Sequence, residues 1–267
     1  MINNRHLSGM FASAAFVFVI NSSSSAEGLH WSHEEQAMWG SIEDASHTEV
    51  PHIFPFAECA IGNRQSPIDL AEAEIERTTE LNRLRIWYDT DTPVFYNSGH
   101  GIQVNTSFDY TGYLEVGNET YPLIQFHFHE PSEHVVGDKQ FPAELHYVHV
   151  REDGRLVVMA VAIEEGEVNE TFQTILDNIP QTAGEMREGT GIVINPETLL
   201  PPNFHKPDFY TFAGSLTTPP CSEGVQWYLL ARAITVSAAQ LEQLRGFYTN
   251  NARLPQDLNG RTLLTTQ

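Results

Sequence analysis

The sequence predicts a mainly β domain with a few short helices, on three observations: β-rich runs recur between turn residues, helical periodicity is confined to two segments, and no repeat or low-complexity linker divides the chain. The runs Leu84 to Tyr88, Val94 to Tyr96, Gly101 to Asn105, Gly112 to Val116, Ile124 to His129, Ala143 to Val150, Leu156 to Ile163 and Gln226 to Ala233 read as strands. Thr171 to Ile179 reads as a helix closed by Pro180, and Ser237 to Tyr248 as a second that opens on a Ser able to cap it. Gly137-Asp138 is a turn signal between Glu133-His134-Val135-Val136 and Phe141-Pro142-Ala143-Glu144, which predicts an antiparallel return of the chain. With 267 residues, 41% of them hydrophobic, the chain can bury a sizeable core.

The amino end differs in character. Arg5 and His6 precede an uncharged apolar run from Leu7 to Ile20, followed by the small-residue stretch Asn21-Ser22-Ser23-Ser24-Ser25-Ala26. That pattern predicts a secretory signal over residues 1–26 and one domain over 27–267, in a periplasmic or secreted protein. The apolar run is short for a bilayer span, so no stable membrane anchor is expected. Cys59 and Cys221 are the only cysteines, and an exported chain most simply pairs them; two buried free thiols are the alternative. A net charge of -21, with Lys139 and Lys206 the only lysines, disfavours nucleic acid and anionic membrane as partners.

The chemistry-bearing motif is Gln125-Phe126-His127-Phe128-His129 followed by Glu144-Leu145-His146. Side chains alternate along a strand, so His127 and His129 share one face, and the antiparallel return brings His146 beside them. Three neutral imidazoles without a thiolate suit tetrahedral Zn²⁺ with its fourth position left to water. Gln125 and Glu144, two residues before His127 and His146, share the ligand faces and can accept the other ring N–H. The alternative is a set of satisfied core or surface histidines.

These runs, with Pro131-Ser132-Glu133-His134, Gly214-Ser215-Leu216-Thr217-Thr218-Pro219-Pro220, Asn63-Arg64-Gln65-Ser66-Pro67-Ile68-Asp69 and Asn97-Ser98-Gly99-His100, resemble the α-class carbonic anhydrases over essentially the whole chain after the first thirty residues. The resemblance implies a large central twisted, mostly antiparallel sheet with short peripheral helices and the zinc cone opening from its middle. It implies zinc-dependent, reversible hydration of CO2 to bicarbonate and a proton by a zinc-bound hydroxide, with His127, His129 and His146 as ligands. Thr217 and Glu133 match the pair that orients the hydroxide, and His100 matches the proton shuttle. Val148 stands on the His146 face by alternation; Val158, Leu216, Val225 and Trp227 match the hydrophobic pocket, while Thr218, Gln103 and Ser98 match its hydrophilic side. The resemblance also supports the Cys59–Cys221 bridge. It leaves a homodimer open.

Two positions depart from the family pattern. Trp31-Ser32-His33 stands where Trp-Gly-Tyr is common, which raises the expectation that His33 titrates beside His100 and broadens the pH profile. Phe212 stands where a Tyr is usual, deleting a hydroxyl that would partner the region of His134 and Ser66. His134 and His149 read as structural, and His30, His47, His52 and His205 are unassigned. The competing functions are a carbonic-anhydrase-like binding module with little catalysis, and a zinc esterase; Val148, Val158 and Leu216 imply a cavity narrow for bulky acyl groups.

Overall fold

The computed structural model describes residues 29–267, so the signal expected at 1–26 lies outside the described residues. A 13-stranded sheet dominates. Its main path runs from Glu74–Arg77 through Thr262–Thr265, Phe209–Ser215, Glu223–Leu230, Leu156–Glu165, Ala143–Val150, Glu119–His129, Ile102–Asn105 and Val94–Asn97 to Met186–Glu188. Three pairings are parallel: Glu74–Arg77 with Thr262–Thr265, and Leu156–Glu165 with both Glu223–Leu230 and Ile234–Val236. The rest are antiparallel, as the resemblance implies.

Each expected strand forms, with shifted ends: the run at Ile124 starts at Glu119, and the run at Gln226 spans Glu223–Leu230. The strands without a forecast include Glu74–Arg77 and Met186–Glu188, which are exposed throughout and so carry no apolar alternation. Gly137 and Asp138 adopt φ of 58° and 61°, the left-handed pair of a two-residue hairpin turn, and Val135–Val136 pairs with Lys139–Gln140 across it.

Both expected helices form and are capped by their own side chains. Asn169 accepts from the Phe172 N–H ahead of Glu170–Asn178, and Ser237 makes a reciprocal capping box with Gln240 ahead of Ala238–Arg245. Their apolar faces, including Phe172, Ile175, Leu241 and Leu244, pack on one face of the sheet against Phe126, Phe128, Leu145 and Tyr147. A second apolar layer, with Val148, Val158, Phe212, Val225 and Trp227, forms separately from that helix-covered core. His149 joins the helix side as a satisfied core residue: its Nε2 accepts from the Tyr88 hydroxyl at 2.6 Å and its Nδ1 donates to the Val157 carbonyl at 3.2 Å.

The Glu119–His129 strand serves both faces through an irregularity. Its register with Ala143–Val150 shifts between Leu123 and Gln125, leaving Ile124 as an extra, unpaired residue. Tyr121 and Leu123 before the bulge, and Phe126 and Phe128 after it, therefore all enter the helix-side core. The bulge reverses the alternation, and it is this reversal that sends Gln125, His127 and His129 to the opposite side.

A third cluster of Trp31, Trp39, Phe56 and Cys221 anchors the amino-terminal segment, which includes an unforecast 3₁₀ stretch at His33–Ser41. Cys59 and Cys221 are disulfide-bonded there, 162 residues apart in sequence. Closing so long a loop stabilises by about 5 kcal/mol if chain entropy alone counts. Reduction is expected to lower the midpoint of urea unfolding markedly; an unchanged midpoint would remove the bridge from the stability of the fold.

Candidate metal centre and cavity

His127 and His146 are direct cross-strand partners, and His129 lies opposite Glu144. That register converts a sequence separation into a cluster whose ring centroids are 5.0 Å (His127–His129), 5.2 Å (His127–His146) and 4.6 Å (His129–His146) apart. One ligand atom from each of the three lies within 4.8 Å of the others. Which nitrogen each ring offers is set by its other hydrogen bond. His127 Nδ1 bonds to Gln125 Oε1 at 2.8 Å and His129 Nδ1 to the Asn251 carbonyl at 3.0 Å, which leaves Nε2 of both. His146 bonds through Nε2 to Glu144 Oε1 at 2.8 Å, which leaves Nδ1.

Burial lowers the pKa of all three rings: His129 falls to about 4 despite its bond to Asn251, and His127 falls well below its usual value with His129 and His146 adding to the effect. The rings are therefore neutral at neutral pH, as metal coordination requires. His129 Nε2 is buried without a hydrogen-bond partner. A donor atom stripped of water and given no proton donor fits a cation.

The carboxylates differ in their surroundings. Burial works against the charge on Glu144, but His134 and the N–H donors outweigh it and hold the carboxyl well below the usual range. Its Oε2 accepts the backbone N–H groups of Glu133 and His134, each at 2.9 Å, and its Oε1 accepts His134 Nδ1 at 2.7 Å as well as His146. Glu133 is fully buried with less support: Oε1 accepts the Arg253 backbone N–H at 2.8 Å, while Oε2 meets no donor at full hydrogen-bond geometry. Burial pushes its pKa up to about 7, against the lowering influence of His146, the Arg253 N–H and the Thr217 hydroxyl. A cation among the histidines would act in the same ionising direction.

A cavity of about 340 Å³ opens over the cluster, lined by all three histidines. Val148, Val158, Leu216 and Trp227 supply apolar lining, and Ser98, Gln103, Thr217 and Thr218 supply polar lining. Val225 departs from the expected pocket: it is fully buried in the apolar layer with Trp227 and does not line the cavity. The cavity volume lies at the lower end of the small-ligand scale of roughly 300–1,000 Å³, with Val148, Val158 and Leu216 among its lining.

His100 lines the same cavity, half-buried, and stacks face to face on Trp31 with centroids 3.8 Å apart. Its turn is locally built: Gly99 takes φ 82°, its N–H donates to Asn97 Oδ1, and Ser98 Oγ accepts the His100 N–H. Burial and then the charge of His30 lower the His100 pKa. His33 differs from its expectation: burial, then His129 and His100, push it down to about 3, below the range of an ordinary imidazole.

Asn251 and Arg253, without a signal in the sequence, hold the site from behind. Asn251 receives His129 through its carbonyl, accepts the Glu130 N–H through Oδ1 at 2.8 Å, and donates to the His100 carbonyl at 3.0 Å. The buried Arg253 guanidinium donates to Gln65 Oε1 and the Ser66 carbonyl, both at 2.8 Å. Both sit in a segment without regular structure, which periodicity cannot flag.

A family model described as eukaryotic-type carbonic anhydrase matches residues 50–267. The chain is 35% identical over 263 residues to a carbonic anhydrase of Pectobacterium atrosepticum, covering 97% of this chain and all of that one, and 37% identical over 229 residues to one of Nostoc, covering 85% of each. Its fold is similar to that of the α-carbonic anhydrase of Thermovibrio ammonificans, solved with the inhibitor sulfanilamide, at a TM-score of 0.77 and 35% identity over 89% of this chain and 99% of that one. A sheet with three histidines on its cavity face, matched along most of its length, leaves one conclusion: the chain belongs to the eukaryotic-type, or α, carbonic anhydrase family.

Proposed function

We propose that the chain hydrates CO2 reversibly to bicarbonate and a proton, with Zn²⁺ held by His127 Nε2, His129 Nε2 and His146 Nδ1. The observation that carries this reading is the trio of neutral nitrogens within 4.8 Å beneath a cavity, one of them buried without a partner. Zinc in such a site acidifies its water into a nucleophile near neutral pH, the property for which carbonic anhydrases are the standard example. Gln125, Glu144 and the Asn251 carbonyl fix which ring nitrogen faces the cavity.

Thr217 and Glu133 then set direction. An ionised Glu133 can only accept, so it takes the Thr217 hydroxyl proton and leaves the Thr217 oxygen as an acceptor toward the cavity. That arrangement orients the attacking oxygen toward a substrate lying on the apolar wall of Val148, Val158, Leu216 and Trp227. CO2 has no net dipole and suits such a wall. His100 carries the released proton outward, since an imidazole is the side chain best matched to transfer near neutral pH. Ester cleavage draws on the same nucleophile and is a side activity in this reading, since Val148, Val158 and Leu216 narrow the cavity for bulky acyl groups. The Cys59–Cys221 bridge supports a working place in an oxidising compartment, periplasmic or extracellular.

Thr217→Val is expected to keep one zinc per chain and to lower kcat/KM for CO2 about 100-fold, the scale of losing one oriented hydrogen bond at a reacting centre. Near-normal turnover would take Thr217 out of the mechanism. For His100→Ala the expected result is turnover reduced about tenfold or more in weak buffer and recovered by added imidazole; turnover that is unchanged, or reduced without rescue, places the shuttle on another group.

A further inference from the structure

The imidazole of His134 is 2% exposed, and its Nε2 makes no hydrogen bond. Its Nδ1 bonds to the carboxylate of Glu144 and therefore carries the proton, so in the neutral ring Nε2 is a bare acceptor. Around the ring stand Phe212 at a centroid distance of 5.8 Å and Trp227 at 4.9 Å, themselves cross-strand partners with parallel rings, and His146 at 6.1 Å. No part of the proposed reaction uses this unpaired nitrogen, yet it stands two hydrogen bonds from the metal cluster. The same Oε1 of Glu144 accepts both His134 Nδ1 at 2.7 Å and His146 Nε2 at 2.8 Å.

Two donors that share one oxygen compete for it. A hydroxyl donating to His134 Nε2 would polarise the ring, strengthen its Nδ1–H as a donor, and draw Glu144 away from His146. Phenylalanine at 212 withholds that donor. We propose that Phe212 is a positioning residue that acts through His134: by leaving Nε2 unpartnered it keeps Glu144 committed to His146, making His146 Nδ1 the more basic and more tightly held zinc ligand. The arrangement costs fold stability, because a buried acceptor goes unsatisfied, and that cost is exchanged for metal retention.

The inference rests on the zinc reading above, and the two fail separately. Zinc content of the parent protein tests the reading; the ratio between parent and variant tests the inference. Phe212→Tyr places a hydroxyl on the ring that faces His134 at a centroid distance of 5.8 Å, as the donor offered to the unpaired nitrogen. The expected result is a melting temperature raised by several degrees, together with release of zinc to an excess of chelator that is about threefold faster, a fraction of the ~10–100-fold that loss of an outer partner costs. Phe212→Leu, which adds no hydroxyl, is expected to release zinc at the parent rate whatever its melting temperature. Zinc release that is unchanged or slower in Phe212→Tyr overturns the proposal, as does equally fast release from Phe212→Leu. Should Phe212→Tyr fold poorly, imidazole ¹⁵N resonances of the parent decide: His134 Nε2 at the shift of a pyridine-type nitrogen free of hydrogen bonds supports the proposal, and a shift marking protonation or a bound donor refutes it.

Discussion

The site depends on one extra residue in a strand. Ile124 interrupts the ladder between Leu123 and Gln125, and without that interruption strict alternation from Tyr121 and Leu123 would carry the odd-numbered His127 and His129 into the helix-covered core. The bulge lets one strand bury Tyr121, Leu123, Phe126 and Phe128 on one side while presenting Gln125, His127 and His129 on the other. Packing and chemistry are thus separated by face: the apolar residues that order the strand are not the residues that face the cavity.

Once the imidazoles are turned to that face, their tautomers need fixing, and the surrounding groups do it from three directions. Gln125 comes from the same strand, Glu144 from the neighbouring strand, and the Asn251 carbonyl from an irregular segment more than a hundred residues on. Glu144 is the most satisfied carboxylate in the site, with four donors on two oxygens, and Glu133 one of the least. The contrast fits their positions. One is held by His134, His146 and two backbone N–H groups, while the other keeps Oε2 without a full hydrogen bond.

Much of this was legible in the sequence, where spacing carried it. The His-x-His pair, the turn at Gly137-Asp138 and the return to His146 are local patterns, and local patterns set register. The bulge was not legible, because Leu123 and Ile124 are both apolar and nothing in composition marks which of them leaves the ladder. Asn251 and Arg253 lie in coil, where no periodicity exists to read, and their contacts are all long-range. Val225 and His33 show that a position in the sequence does not report burial: Val225 is sealed in the layer beside Trp227, and His33 is packed between Trp31 and Trp39, where burial lowers its pKa.

On the proposed function, the three histidines on the cavity face of this sheet hold a catalytic zinc. Stopped-flow CO2 hydration on chelator-stripped protein, followed as zinc is added back, tests it most directly. The account predicts activity that rises linearly with zinc and breaks at one equivalent per chain, with no such rise in His129→Ala. Hydration that persists without zinc, or that never appears with the site filled, would contradict it.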